Sequence, residues 1–309
     1  MKKLTLFLMI IFCLLLIGCK TPGNNDNNNN NGNDDNNDNG GPNTPTSAFI
    51  IDHNCTDISR IPDQWLQQAR AQFRIHYAHT SHGEQIVVGL QRLSANAAAA
   101  GLSSARDSRY NFFYDYCQVP PGDDGLCMMD GQQIDDYCET YVTPDLYWES
   151  DSGLNITRSV LQNFDVNVTL WAWCCQLDYY SESEVQNYLD RMSQLEAEFP
   201  HVIFIYMTGN AQSEEQNRVA RNNQITEYCQ NNNKFLFDFA DLDCWYNGEQ
   251  HTVNGIPMEH PQYHGDEAAH TTYQSCENKA RAFWWLMARL AGWDGTSASG
   301  DQGGKGNYE

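Results

Sequence analysis

Arg74-Ile75-His76-Tyr77-Ala78-His79-Thr80-Ser81-His82-Gly83, followed at once by Glu84-Gln85-Ile86-Val87-Val88-Gly89-Leu90, changes its period in mid-course. Ile75 and Tyr77 alternate with polar neighbours, small and polar residues follow, and from Ile86 the apolar positions fall at helical spacing. The stretch reads as strand, tight turn and helix. Ser81 falls in the turn, beyond the carboxyl end of the strand and beside backbone N–H groups at a helix start, where a nucleophilic hydroxyl is useful. The same position suits a plain helix cap supplied by Thr80 or Ser81, so other parts of the chain must decide.

Working outward, residues 61–70 read as a short helix with Pro62 in its first turn and Trp65, Leu66 and Ala69 on one face. The helix after Ser81 is expected to continue through Leu93 and the alanines of 95–100, stopping near Gly101. Thr157 to Leu161 opens a short helix, residues 166–173 are strongly β-prone, and Ser181-Glu182-Ser183-Glu184 is a capping box ahead of Val185, Leu189, Met192 and Leu195. Residues 202–207 form a continuous apolar run, hence a buried strand. Ser213 is expected to cap a helix reaching Tyr228, residues 234–239 read as another strand, and a last helix covers 275–291 before Gly292. Alternation of strands and helices predicts an α/β fold, a mostly parallel sheet covered by helices on both faces.

Residues 110–148 break that rhythm. Tyr110, Phe112, Phe113, Tyr114, Tyr116, Tyr137, Tyr141, Tyr147 and Trp148 are interleaved with Gly, Pro, Asp and cysteines. One strand is expected in 111–116, and the remainder reads as a disulfide-held excursion able to wall a substrate, although more than half of its aromatics belong in a core.

Met1-Lys2-Lys3, an apolar run over residues 4–17 and Gly18-Cys19 have the layout of an export signal too short to span a bilayer. Residues 20–47 are almost all Asn, Asp, Gly, Pro and Thr and form a tether, residues 48–294 hold one domain, and 295–309 read as a loose tail. A net charge of −22, from 18 basic and 40 acidic residues, argues against nucleic-acid partners. Of the eleven cysteines, Cys13 and Cys19 lie in the leader and its end, and the odd remainder leaves at least one unpaired. In an exported chain Cys55, Cys117, Cys127, Cys138, Cys229, Cys244 and Cys276 are expected in disulfides of undetermined connectivity, and no C-x-x-C pair suggests zinc. Cys174-Cys175 read as a buried thiol and half a disulfide.

Ligands of such a sheet sit beyond the carboxyl ends of its strands. Those ends carry His79-Thr80-Ser81, then Cys174-Cys175-Gln176-Leu177-Asp178, then Thr208-Gly209-Asn210, and residues 238–245, while a loop holding Glu259, His260, His264, Asp266, Glu267 and His270 precedes the last helix. A serine, an amide and an acid with a histidine make an acyl-transfer set. The pattern resembles the SGNH/GDSL hydrolases, esterases and deacetylases on a flavodoxin-like α/β/α sandwich. Ser81 matches their Gly-Asp-Ser position, preceded here by His79-Thr80. Cys174-Cys175-Gln176 stands at their Gly-x-Asn-Asp segment, and Glu267-Ala268-Ala269-His270 at their Asp-x-x-His motif, with Asp266 one residue away. Their second-block glycine has no clear counterpart beyond Gly131. Cys19, in Leu16-Ile17-Gly18-Cys19, resembles the lipidated cysteine of bacterial lipoproteins.

The resemblance implies Ser81 as nucleophile, His270 as base, Glu267 or Asp266 as its supporting acid, and an oxyanion hole from the Ser81 N–H with Gln176 or Asn210. His79, His82, Trp173 and Asp178 are the expected substrate contacts. No cofactor or metal is expected. The expected substrate is an acylated carbohydrate or other small ester, and the expected location is that of an exported bacterial lipoprotein, anchored to the outer membrane or cell surface through the lipid at Cys19. Two other readings stay open: a non-catalytic glycan-binding protein on a decayed hydrolase scaffold, and a metal-dependent hydrolase using His76, His79, His82, His260, His264 and His270. The last is weakened because His76 and His79 face opposite sides of a strand.

Overall fold

The computed structural model describes residues 47–96, 106–122 and 124–296. The leader with Cys19, nearly all of the 20–47 tether and the tail beyond 296, on which the expectation of export and anchoring rests, lie outside the described residues. Among the described residues no helix is long and apolar enough to cross a membrane.

Strand β1 (Ile50–Ile51) and helix α1 (Asp63–Gln72) lead to β2 (Arg74–His79), the alternating stretch, which ends where its period ends. A 3-10 turn at Ser81–Gly83 then opens α2 (Glu84–Leu93). Gly83 lets this turn fold down onto the sheet, because a Cβ there would lie 2.3 Å from His79 Cβ and 2.9 Å from Ala172 Cβ. Helix α2 stops at Leu93, earlier than its alanine-rich continuation suggested, and Ser94 leaves it to bridge to Asp107; residues 97–105 lie outside the described residues.

The excursion holds more regular structure than its composition suggested: β3 (Phe112–Tyr116), β4 (Leu126–Asp130), a hairpin of β5 (Gln132–Ile134) and β6 (Tyr137–Glu139), and α3 (Pro144–Tyr147). Cys117 and Cys138 form a disulfide that ties the end of β3 to the hairpin. The wider disulfide expectation is corrected: among the described residues Cys55, Cys127, Cys174, Cys175, Cys229, Cys244 and Cys276 form no disulfide, and most of them are buried as small apolar side chains.

After α4 (Asp151–Asn163) come β7 (Val168–Ala172), α5 (Glu182–Glu198), β8 (Ile203–Met207), α6 (Gln216–Asn231), β9 (Phe235–Phe237), α7 (Phe239–Cys244) and α8 (Tyr273–Leu290). The Ser181/Glu184 capping box forms with both of its hydrogen bonds. Helix α6 instead begins after Glu215, without a side-chain cap, since Ser213 Oγ accepts only from Glu215 N.

Seven parallel strands pair in the order β1-β9-β8-β7-β2-β4-β3. The fold is a three-layer α/β/α sandwich: α1, α2 and α8 pack together on one face, and α4, α5 and α6 form the other layer. Gly89 sets the closeness of α2 to α8, because any Cβ would strike the Cys276 carbonyl. Taking β2, β4, β7, β8 and β9 as first to fifth in chain order, the central sheet reads 2-1-3-4-5, and its direction of growth reverses between β2 and β7. A crevice opens at such a reversal, outside the carboxyl ends of the two strands. Trp148, Trp171, Trp173 and Tyr188 fill the core beneath α4 and α5, each buried aromatic contributing roughly 2–3 kcal/mol.

Candidate active site

Ser81 and Cys174 stand on the two lips of that crevice, one just past β2 and the other just past β7. Neither Thr80 nor Ser81 caps the helix: Thr80 makes no side-chain cap hydrogen bond, and α2 starts behind Gly83. The hydroxyl of Ser81 instead lies 3.5 Å from Cys174 Sγ. The Thr80 hydroxyl beside it is buried without a hydrogen-bond partner among the described residues.

On the β4 side of Ser81 a cleft of about 200 Å³ is lined by His79, Thr80, Ser81, Tyr114, Tyr116 and Tyr141, among others. Tyr116 and Tyr141 are half exposed, whereas Tyr110, Phe112, Tyr147 and Trp148 are core, so the aromatic wall is narrower than composition alone implied. His79 is buried and uses both ring nitrogens: Nδ1 donates to the Thr80 carbonyl at 2.8 Å and Nε2 donates to Asp130 Oδ1 at 3.0 Å. An imidazole that donates twice is a cation. Burial opposes that charge, but the Asp130 hydrogen bond and charge outweigh it and raise the His79 pKa.

On the β7 side the hydrogen bonds run from thiol to carboxylate. His82 Nδ1 lies 2.9 Å from Cys174 Sγ, and His82 Nε2 lies 2.8 Å from Gln212 Oε1. The Gln212 amide nitrogen donates to Glu259 Oε1 at 3.1 Å and to the His270 carbonyl at 2.8 Å, which fixes its oxygen toward His82. His82 Nε2 therefore carries a proton, and its Nδ1 shares another with Cys174 Sγ; burial opposes a charged ring, but the Cys174 hydrogen bond and charge outweigh it and raise the His82 pKa. The Cys174 thiol is drawn far below its ordinary pKa, first by the Cys175 thiol and then, against the opposition of burial, by the His82 imidazole.

His270 reaches the same rim. Its ring centroid is 5.0 Å from that of His82, and the ring is exposed and makes no hydrogen bond among the described residues. Ala269 and His270 both have positive φ, 48° and 67°, an uncommon conformation for consecutive non-glycine residues and one that clusters at functional sites. Gln212 and Gln85 hold it, through the His270 and Ala269 carbonyls. The acids expected to support His270 lie elsewhere: Glu267 Oε2 accepts from Tyr273 N at the start of α8, and Asp266 is exposed and makes no hydrogen bond among the described residues.

Gln176 accepts from Cys174 N through Oε1 at 2.7 Å, which turns its NH₂ away from that backbone and leaves it as a donor. Asn210 is engaged at both ends, donating to the Cys174 carbonyl and accepting from Gln212 N. Trp173 is 2 % exposed and packs against Trp148, Trp171 and Tyr188, so it has no ring face for a substrate. Asp178 is half-buried at the rim, and burial raises its pKa. Gly131, with φ of 78°, follows β4 and donates to the Tyr77 carbonyl.

The six histidines weighed as a metal set do not converge. His76 turns toward Thr169 and Tyr147, His79 is bound to Asp130, and His260 packs on Tyr246. Sequence carries no signal for the roles of Cys174, Gln212, Glu259 and Asp130 in these hydrogen bonds, for their partners lie far away in the chain. No known protein family matches the chain, nor does any curated protein.

Proposed function

We propose that this protein is an exported, lipid-anchored serine ester hydrolase that removes acyl groups, such as acetyl, from a carbohydrate. The observation that carries the reading is the Ser81 hydroxyl, uncommitted to any helix cap, at the crevice where the sheet reverses direction. In this mechanism Ser81 Oγ attacks the ester carbonyl and His270 takes its proton. The tetrahedral intermediate collapses to an acyl-serine as His270 protonates the leaving alkoxide, and water then repeats the sequence to release the acid. The Ser81 N–H and the Gln176 amide face the oxyanion, each such donor contributing about 3 kcal/mol of barrier lowering. The tyrosines of the cleft offer faces for a sugar ring, and Cys19 carries the anchor.

The test is hydrolysis of an acetylated oligosaccharide and of a simple aryl acetate. Ser81→Ala should lower turnover by about 10⁴-fold or more while the unfolding midpoint stays put. Retained turnover would sink the assignment. A wild-type chain that binds the oligosaccharide without turning it over is a glycan-binding protein instead.

A further inference from the structure

Cys174 and Cys175 follow β7 directly and are both free thiols, one half-buried and one exposed. Their Sγ atoms are 3.7 Å apart, and His82 Nδ1 is 2.9 Å from Cys174 Sγ. One donor atom from each of the three residues falls within a group no more than 4.8 Å across. A tetrahedral zinc ion, with Zn–S near ~2.3 Å and Zn–N near ~2.1 Å, holds two sulfurs about 3.8 Å apart and a sulfur and a nitrogen about 3.6 Å apart. The thiol pair already has that spacing, and the imidazole would move from 2.9 Å to about 3.6 Å from Cys174 Sγ.

The surroundings suit a ligand as well. The Gln212 amide keeps a proton on His82 Nε2, so Nδ1, the nitrogen aimed at the sulfurs, is the one that gives up its proton and binds when a cation enters. A metal-bound histidine characteristically donates its other N–H to an oxygen that is itself held, and here Gln212 Oε1 is that oxygen, with Glu259 behind it. Asn210 and Gln176 pin the Cys174 backbone at its carbonyl and its N–H. This set of two sulfurs and one nitrogen prefers thiophilic cations over magnesium or calcium.

We propose that His82, Cys174 and Cys175 bind one thiophilic divalent cation, zinc foremost, at the crevice between β2 and β7. Binding releases the thiol protons to solvent. Three protein ligands leave a fourth position, and Ser81 Oγ, 3.5 Å from Cys174 Sγ, borders it. The site stands on these ligands alone and holds whether or not Ser81 turns over esters.

The experiment uses the full chain, reduced and stripped of metal, titrated with cobalt(II) and then zinc(II). One equivalent of cobalt should give intense visible bands with thiolate-to-metal charge transfer, and zinc should displace it. Gln212→Ala, which keeps all three ligands, should weaken zinc binding by about 10- to 100-fold. The double variant Cys174→Ser/Cys175→Ser should lose the cobalt spectrum. Alkylation mapped by mass spectrometry needs no variant: zinc should protect Cys174 and Cys175 from iodoacetamide and leave the rate at Cys55 unchanged. The proposal is overturned if cobalt gives no charge transfer, if the spectrum survives in the double variant, or if Cys174 is alkylated equally fast with and without zinc, the behaviour of a metal-free thiol nucleophile.

Discussion

His79 and His82 lie on opposite sides of one turn, three residues apart, and do opposite things with the same ring. His79 faces the β4 side, gives away both N–H groups to Thr80 and Asp130, and is a buried cation with no lone pair left. His82 faces the β7 side, where Gln212 takes one N–H and the other nitrogen shares a proton with Cys174. The difference teaches that burial alone does not set a histidine's role: the chemistry of its two neighbours does. The β4 side is a locked wall of the cleft, and the β7 side is the one with reactive atoms.

The largest effect that would break this contrast comes from the locked side. Asp130→Asn keeps the shape but strands the His79 charge, so denaturant unfolding should show a loss of about 3–5 kcal/mol. The double variant His79→Gln/Asp130→Asn should recover part of it. A loss within about 0.5 kcal/mol, the range of ordinary surface changes, would mean that His79 is not held as a cation.

The reactive side is sharpened by a pair of amides. Gln176→Glu keeps the acceptor for Cys174 N but removes the free donor, and should cost about 10²- to 10³-fold in kcat on an ester substrate with little change in KM. Asn210→Ala removes an amide engaged at both ends, and should cost less than Gln176→Glu. Equal losses would mean that both residues serve only to shape the loop.

At neutral pH the smallest effect comes from His76, a third histidine of the same segment, which is buried and whose pKa burial lowers to about 3. A histidine with a depressed folded pKa binds fewer protons in the folded state, so its contribution is full above the ordinary value near 6.5 and is lost as pH falls toward about 3. The slope is up to about 1.4 kcal/mol per pH unit in that window. Asp238, pushed up to about 6 by burial, acts in the reverse sense over part of it. The comparison of wild type with His76→Gln therefore isolates the histidine. The variant should lose the acid-side slope, and an unchanged slope would contradict the burial of a neutral ring. His79, with its raised pKa, has the reverse sign: its contribution is full below the ordinary value and fades as pH rises through the folded one.

Much of the fold was legible because it rests on local pattern. Alternation in 74–79, the apolar run at 202–207 and the Ser181 capping box each declare an element without help from distant residues. Strand β4 was not legible, since Leu126–Asp130 is four apolar residues and an aspartate between turn-forming residues, with no alternation to mark it. Missing β4 hid Asp130, and with it the fate of His79. The Cys174–His82 contact spans 92 residues, and the Gln212–Glu259 link is equally a product of packing. The turn that carries Ser81 was legible because strand, turn and helix are written in the stretch itself.

The most direct test of that turn is covalent. A fluorophosphonate probe incubated with the folded chain should leave a stoichiometric adduct that peptide mass spectrometry maps to Ser81, and Ser81→Ala should take up none. A folded chain that stays unlabelled, or that carries the adduct on another residue, would contradict the account.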